Sequence, residues 1–249
     1  MRFTLHLSGV LMILLSLTKV DLYAQQATGS VIIQLHHRIG NSELSPDSTY
    51  TNSFGEQLII SRFRYYVCNI EISDTVARNT YRVSNQYFLV DEKDPGSKVI
   101  SLQLPAGQYN KISFLLGVDS LKNVSGIQTG ALDPLKDMFW TWKSGYVMAK
   151  LEGRSSASTL PHHMFEYHIG GFSGANNVLG RVGLPLPAVM NIVPGKKVQV
   201  AIAADIDKWF SGVHQLSIAA YPACTVEGQL AKRFSENYLQ MFTIQSVSP

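Results

Sequence analysis

The sequence predicts an all-β protein, an antiparallel β-sandwich with long loops and a short C-terminal helix. Three observations support this prediction: many short runs of β-branched and aromatic residues, turn residues at frequent intervals between them, and little helical periodicity. This combination is typical of antiparallel sandwiches. The chain has 249 residues, which is enough to bury a hydrophobic core without disulfides.

The first 24 residues have the order of a secretory signal peptide. Arg2 is followed by a mostly apolar run over residues 5–17, and the segment ends at Ala24. The apolar run is too short for a membrane span, and nothing later resembles one. We therefore predict a signal peptide over residues 1–24 and one β-sandwich domain over residues 25–249. The protein is expected in the periplasm or outside the cell; a buried N-terminal helix is the alternative.

The first half of the chain contains four predicted strand regions. Residues 31–37 form the first, and residues 41–55 are a loop rich in Ser, Pro, Asp, Thr and Asn. Residues 57–72 are β-branched and aromatic, and predict either two strands or one long bent strand. Residues 81–91 and 99–104 are the next strands.

The second half continues the pattern after a turn at Pro105, Ala106 and Gly107. Residues 108–118 alternate apolar side chains, as a half-buried strand does. Residues 119–136 form a long polar excursion, and such loops inside compact domains are often functional. Residues 146–151, 166–169 and 197–203 are the remaining predicted strands.

Two segments favour helix. Residues 205–210 predict one helical turn. Residues 230–242 predict the C-terminal helix, because apolar side chains recur there at helical spacing. Those side chains are Phe234, Tyr238, Leu239 and Phe242.

Charge and motifs exclude several classes of function. The formal net charge is only +3, and the basic residues do not cluster, so neither nucleic acid nor a membrane surface is an expected partner. There is no serine-hydrolase elbow, phosphate loop or zinc-protease helix. Residues 171–174 are a glycine-rich turn. Nothing here indicates an enzyme.

The chain contains two cysteines, Cys68 and Cys224, which are far apart in sequence. In an oxidising compartment they could form a disulfide. Two buried free thiols fit the sequence equally well. The separation of the two Cα atoms decides between these alternatives, and only the structure supplies it.

Histidines are the most informative polar residues. Six lie after the predicted leader: His36, His37, His162, His163, His168 and His214. Neutral imidazole suits copper and zinc. Adjacent strand residues point to opposite faces, so His36 and His37 are not expected to enter one site. An isolated histidine is more often a surface or hydrogen-bonded residue than a ligand.

Two tryptophans stand close together, at Trp140 and Trp142. In an extended segment they would lie on the same face. Core packing next to a turn explains them most simply. A surface on which sugar rings stack is a second interpretation.

The segment around these tryptophans resembles the MbnP-like copper-binding family, of the MbnP, MopE and CorA type. Its most specific block is MFWTW at 138–142, followed by SGY at 144–146. Further matches follow in family order over nearly the whole chain after the leader: FRYYV at 63–67, NI at 69–70, PAGQY at 105–109, GVDSL at 117–121, GALDP at 130–134, YHIGG at 167–171, NY at 237–238 and MF at 241–242. The KLEG segment at 150–153 is similar to the branch found in Bacteroidetes.

The resemblance implies an exported β-sandwich protein of copper acquisition, storage or transfer. Some relatives hold one copper ion, as Cu(I) or Cu(II), with histidines and a kynurenine. The kynurenine arises by oxidative opening of a tryptophan ring, attributed to a partner dihaem enzyme of the cytochrome c peroxidase type. Tryptophan has only an N–H donor, whereas kynurenine exposes an amine that can bind copper beside imidazoles.

Carried over to this chain, the resemblance makes Trp140 or Trp142 the modified residue. His168 lies in the His-Ile/Leu-Gly segment of the family and is the first candidate ligand. His37 stands where many relatives have a first-strand histidine, so we expect His37 and His168 to converge on one copper ion. The less secure candidates are His36, His162, His163 and His214.

The chain also departs from the family pattern. Neither residues 122–124 nor residues 243–249 contain the histidines that some relatives have there. The alternative is therefore a metal-free exported module that has kept the sandwich and lost the copper site.

Overall fold

The computed structural model describes residues 27–141 and 144–249, and its main elements are strands. The predicted signal peptide and Trp142 lie outside the described residues. The strands are β1 (Thr28–Ile39), β2 (Ser42–Glu43), β3 (Thr49–Thr51), β4 (Gln57–Asp74), β5 (Asn79–Asp91), β6 (Val99–Pro105), β7 (Gly107–Leu116), β8 (Phe139–Thr141), β9 (Gly145–Ser155), β10 (Met164–Gly170), β11 (Gly180–Ile192), β12 (Lys197–Asp205), β13 (Ala223–Cys224) and β14 (Phe242–Ser248). The helices are α1 (Ser120–Asn123) and α2 (Gln229–Tyr238).

The first sheet is built around β1. Its order is β14-β12-β1-β2, and β6 also pairs with β1. β1 runs parallel to β12 and antiparallel to β6. The predicted all-β sandwich with a short C-terminal helix is confirmed, and the parallel pair makes this sheet mixed. Alternate residues of β1, from Val31 to Ile39, are buried.

The second sheet has the order β11-β7-β4-β9-β10-β13, with β3 and β5 also paired to β4 and β8 to β9. β4 is one strand of 18 residues, so the alternative of one long strand is correct for residues 57–72. Its pairing register shifts between Cys68 and Ile70, where Asn69 has a φ of +48°. Such bulges bend a strand.

The core between the sheets is rich in aromatic side chains. Trp209 is fully buried and lies in the predicted helical turn, which the structure forms as a 3-10 turn at Ile206–Trp209. Its ring centroid is 4.8 Å from that of Tyr238 in α2 and 6.2 Å from that of Phe63 in β4. These contacts fasten α2 to the sandwich.

The C-terminal helix is shorter than the helical spacing predicts. It ends at Tyr238, and Phe242 instead begins β14, which pairs with β12. The Phe242 ring packs in the core against Tyr65 at 5.6 Å and Phe114 at 5.1 Å. Sheet pairing and core burial therefore override the local periodicity.

The sequence patterns also missed β11, which contains Pro185 and Pro187. Proline cannot donate to a strand ladder and is confined to edge strands and bulges. β11 ends its sheet, and its register shifts between Pro185 and Met190. These two features accommodate the prolines.

Of the two alternatives for the cysteines, the structure shows free thiols. Cys68 and Cys224 are both buried and free, and burial raises the pKa of the Cys68 thiol to about 12 and that of Cys224 to about 11.

The predicted polar excursion over residues 119–136 contains α1 and two 3-10 turns. Within the described ranges, no helix is long and apolar enough to cross a membrane.

Candidate metal centre

His168 lies on the outer face of the second sheet. Its strand neighbours Tyr167 and Ile169 are fully buried, so alternation turns His168 away from the core. Its Nε2 atom is 2.8 Å from Oε1 of Glu152 on β9. The hydrogen bond with His168 is the largest cause of the lowered pKa of Glu152, and burial opposes it.

A row of charged side chains continues from Glu152 along this face. Lys150 is buried, and its Nζ donates to the backbone oxygen of Asp137 at 2.7 Å and to Oδ2 of Asp137 at 3.0 Å. The same Oδ2 accepts from Arg62 at 2.6 Å. Because Asp137 comes directly before the 138–142 segment, this row ties the tryptophan segment to the strand that holds Glu152.

Trp140 lies at the end of β10. A Cβ added at Gly170 would be 2.5 Å from Cζ3 of Trp140, so the indole packs directly on the Gly170 backbone. Gly170 is two residues beyond His168, which is roughly 7 Å along a strand. Trp140 therefore packs on the end of the strand that carries His168, just beyond the register shift between Ile169 and Gly170.

His37 is a buried core residue. In β1 its side chain has no exposed area, and its Nδ1 is 2.5 Å from Oε2 of Glu92. Its Nε2 is 2.9 Å from the hydroxyl of Tyr65. Burial lowers the pKa of His37, although the hydrogen bond with Glu92 acts in the opposite direction. Neutral His37 then donates from Nδ1 and accepts at Nε2, which leaves no lone pair for a metal.

The structure does not bring His37 and His168 together. The His37 ring contacts Phe63 of β4, with centroids 4.7 Å apart. Phe63 is in register with Leu151, and Leu151 with Tyr167, so these buried residues share the inner face of the sheet. His168 follows Tyr167 and faces outward. The expected convergence on one ion is wrong, because strand alternation places the two imidazoles on opposite faces.

The other candidate histidines are dispersed. His36 is half-buried, with Nδ1 3.6 Å from Glu43, and faces away from His37 as predicted. His214 Nε2 is 2.5 Å from Glu236 near α2. His162 and His163 stand in a 3-10 turn at Pro161–His163, before β10.

Comparisons with known proteins agree with this architecture. A family model described as MbnP matches residues 28–226. The chain belongs to the MbnP family. MbnP from Methylosinus trichosporium is similar in structure, with a TM-score of 0.54 over 89% of this chain and 98% of that chain, at 14% identity. That likeness shows the shared fold. A search of curated proteins finds no match.

The metal-binding side chains of this MbnP-family protein can be compared with the ligands that copper prefers. Copper sites commonly use imidazole and soft sulfur ligands. Across residues 27–141 and 144–249, no three His, Cys, Asp or Glu side chains stand close enough to hold a metal ion. His168 offers one imidazole, and an intact indole offers no lone pair. The unmodified side chains described here do not form a complete copper site.

The carboxylates that orient the histidines were also missed from sequence. Asp119 and Asp133 cap short helices through the backbone N–H groups of Lys122 and Leu135. Glu92 and Glu152 hold the histidines. Strand register is the signal that identifies Glu152, and sequence alone does not provide it.

Proposed function

We propose that this MbnP-family protein is an exported copper-binding protein whose ion binds at the end of β10. His168 supplies an imidazole there, and a ring-opened tryptophan supplies a second nitrogen. The observation that carries the proposal is the packing of Trp140 on Gly170, two residues from His168. Trp140 is therefore the modification site in this proposal, with Trp142 as the alternative.

The orientation of His168 supports this assignment. Metal-binding histidines usually donate their second ring N–H to a carboxylate, which fixes the ring and its tautomer. Glu152 occupies that role at Nε2, 2.8 Å away. The atom left for copper is Nδ1. The bound ion would be the cargo that the protein stores or transfers, and we assign no catalytic step to the protein.

The remaining parts of the proposal concern where and how the site is completed. A signal peptide over residues 1–24 would direct the chain to the periplasm or cell exterior and would then be removed. A dihaem enzyme of the cytochrome c peroxidase type would open the tryptophan ring. The intact indole cannot bind the ion, so we expect copper loading to depend on this partner.

The test uses protein purified from its native source. Intact mass, peptide mapping of residues 138–146 and elemental analysis are measured on one sample. We expect residue 25 at the N-terminus, an oxidised tryptophan and one copper ion per chain. Copper bound with intact tryptophans would discard the kynurenine ligand. A sample with neither copper nor modification, and no uptake of added Cu(I) or Cu(II), would contradict the copper function.

Two variants locate the ion. His168→Ala should remove the tightly bound copper ion at the end of β10 from native-source protein, whereas His214→Ala, a matched control with its own carboxylate partner, should retain it. A tightly bound ion that survives His168→Ala would contradict the site assigned here.

A metal-free exported module is the second candidate. The donor count favours it, because the described residues bring no three metal-binding side chains together. It predicts intact tryptophans and no bound metal in native-source protein, so the same sample distinguishes the two functions.

A further inference from the structure

The turn at Pro161–His163 has an unusual backbone. His162 and His163 have φ values of +57° and +56°. This left-handed region is disfavoured for residues with a Cβ, and two consecutive non-glycine residues rarely adopt it. Glycine would adopt it without that penalty. Backbone outliers of this kind concentrate at functional sites.

The turn is held by several hydrogen bonds. The backbone N–H of His163 donates to the Leu160 carbonyl at 3.0 Å, and His163 Nδ1 is 3.1 Å from the Ser158 carbonyl. The Ser158 hydroxyl donates to the Met164 carbonyl and accepts from the backbone N–H of Leu160. Because a carbonyl only accepts, Nδ1 of His163 carries the proton and Nε2 keeps its lone pair.

The two imidazoles differ from the other histidines in the described part of the chain. His36, His37, His168 and His214 each lie next to a glutamate. His162 and His163 have no such ion pair there. Both are exposed, and both line one surface hollow of about 390 Å³. They are neighbouring, accessible nitrogen donors without a carboxylate partner.

We infer that His162 and His163 form a second metal site, which takes a divalent first-row ion through two imidazoles. Cu(II) is the preferred ion, since it binds nitrogen donors most tightly in this series. The remaining coordination positions belong to solvent or to a small anionic ligand. Arg154 lines the same hollow, and its positive charge favours the anionic ligand while it weakens binding of the bare ion. We therefore expect the ion at this site to exchange readily with ions in solution.

This site is separate from the one proposed at His168. The turn ends before Met164, and His168 is four residues further along β10, a distance of roughly 13 Å on a strand. One ion cannot bridge that distance. The inference does not depend on tryptophan oxidation or on the copper site at His168.

The test titrates Cu(II) into protein produced without any modifying partner, in competition with a chelator of known affinity. Electron paramagnetic resonance counts the coordinated nitrogens. We expect one ion with two imidazole nitrogens, bound at least tenfold more weakly after His162→Ala or His163→Ala. His168→Ala and His214→Ala are the controls and should leave this affinity unchanged.

His162→Gly removes the imidazole without disturbing the fold, because glycine adopts the positive φ of this position without strain. This variant should unfold at a higher denaturant concentration than wild type and should still lose the Cu(II) site. Affinity unchanged by all changes at His162 and His163, or lost equally in the controls, would overturn the inference. Loss of native copper in His168→Ala with this site intact would leave both assignments standing. If only one of the two copper-binding assays fails, only the site that this assay measures is rejected.

Discussion

Glu152 and His168 meet across the β9–β10 pair, with Oε1 and Nε2 2.8 Å apart. Arg62 and Lys150 flank the carboxylate, at 3.6 Å and 3.9 Å. His168 lies two residues before Gly170, on which Trp140 packs.

Glu152→Gln should weaken copper binding at His168 by about 10- to 100-fold, the usual effect of losing the carboxylate that orients a metal-binding histidine. Glutamine keeps the size but removes the charge. The measurement is chelator competition on the native-source protein. Glu236→Gln, beside His214, is the control and should keep the wild-type affinity. Equal affinities in all three proteins would contradict the role of Glu152.

His37→Ala should destabilise the fold by about 2–4 kcal/mol, because it opens a cavity and leaves buried polar groups of Glu92 and Tyr65 without their partner. Copper binding at His168 should be unchanged. Urea unfolding and copper titration check the two expectations. His36→Ala, at the half-buried neighbour on the opposite face, should change stability by less than about 0.5 kcal/mol. A His37→Ala protein that is stable but has lost copper would show that His37 is a copper ligand.

Stability should fall as the pH drops below about 6.5. The pKa of His37 is lowered from 6.5 by burial, so the unfolded chain binds the proton more readily than the folded chain. Burial raises the pKa of Glu92, but His37 and Lys98 together outweigh burial and lower that pKa from 4.5, so a second loss follows below about pH 4.5. Urea midpoints between pH 7.5 and 5 should decline less in His37→Gln than in wild type. Parallel declines would exclude His37 as the source.

Gly170→Ala should displace Trp140, because the new Cβ would be 2.5 Å from Cζ3 of the indole. We expect a loss of about 1–3 kcal/mol, the usual effect of overpacking. In native-source protein we also expect less oxidised tryptophan. Unfolding curves and peptide mapping measure the two effects. Gly107→Ala is the control, since its Cβ would find its nearest contact at 3.7 Å. Wild-type modification in Gly170→Ala would make Trp142 the modified residue.

The family and the strand content could be predicted from sequence because both depend on local patterns. Adjacent residues of a strand point to opposite faces, and this rule correctly predicted that His36 and His37 do not share a site. The block at 138–142 led to the MbnP family, which the match over residues 28–226 confirms. The end of α2 could not be predicted locally, because Phe242 leaves the helical pattern to pair with Ala204.

The candidate site depended on tertiary structure. The sequence by itself determined that this is a β-sandwich of the MbnP family with His37, His168 and two close tryptophans as its distinctive residues. Only the fold decided that His37 faces Phe63 in the core while His168 faces outward beside Glu152. The physical reason is strand register: a residue's face is set by which partner strand it meets, and those partners are distant in sequence.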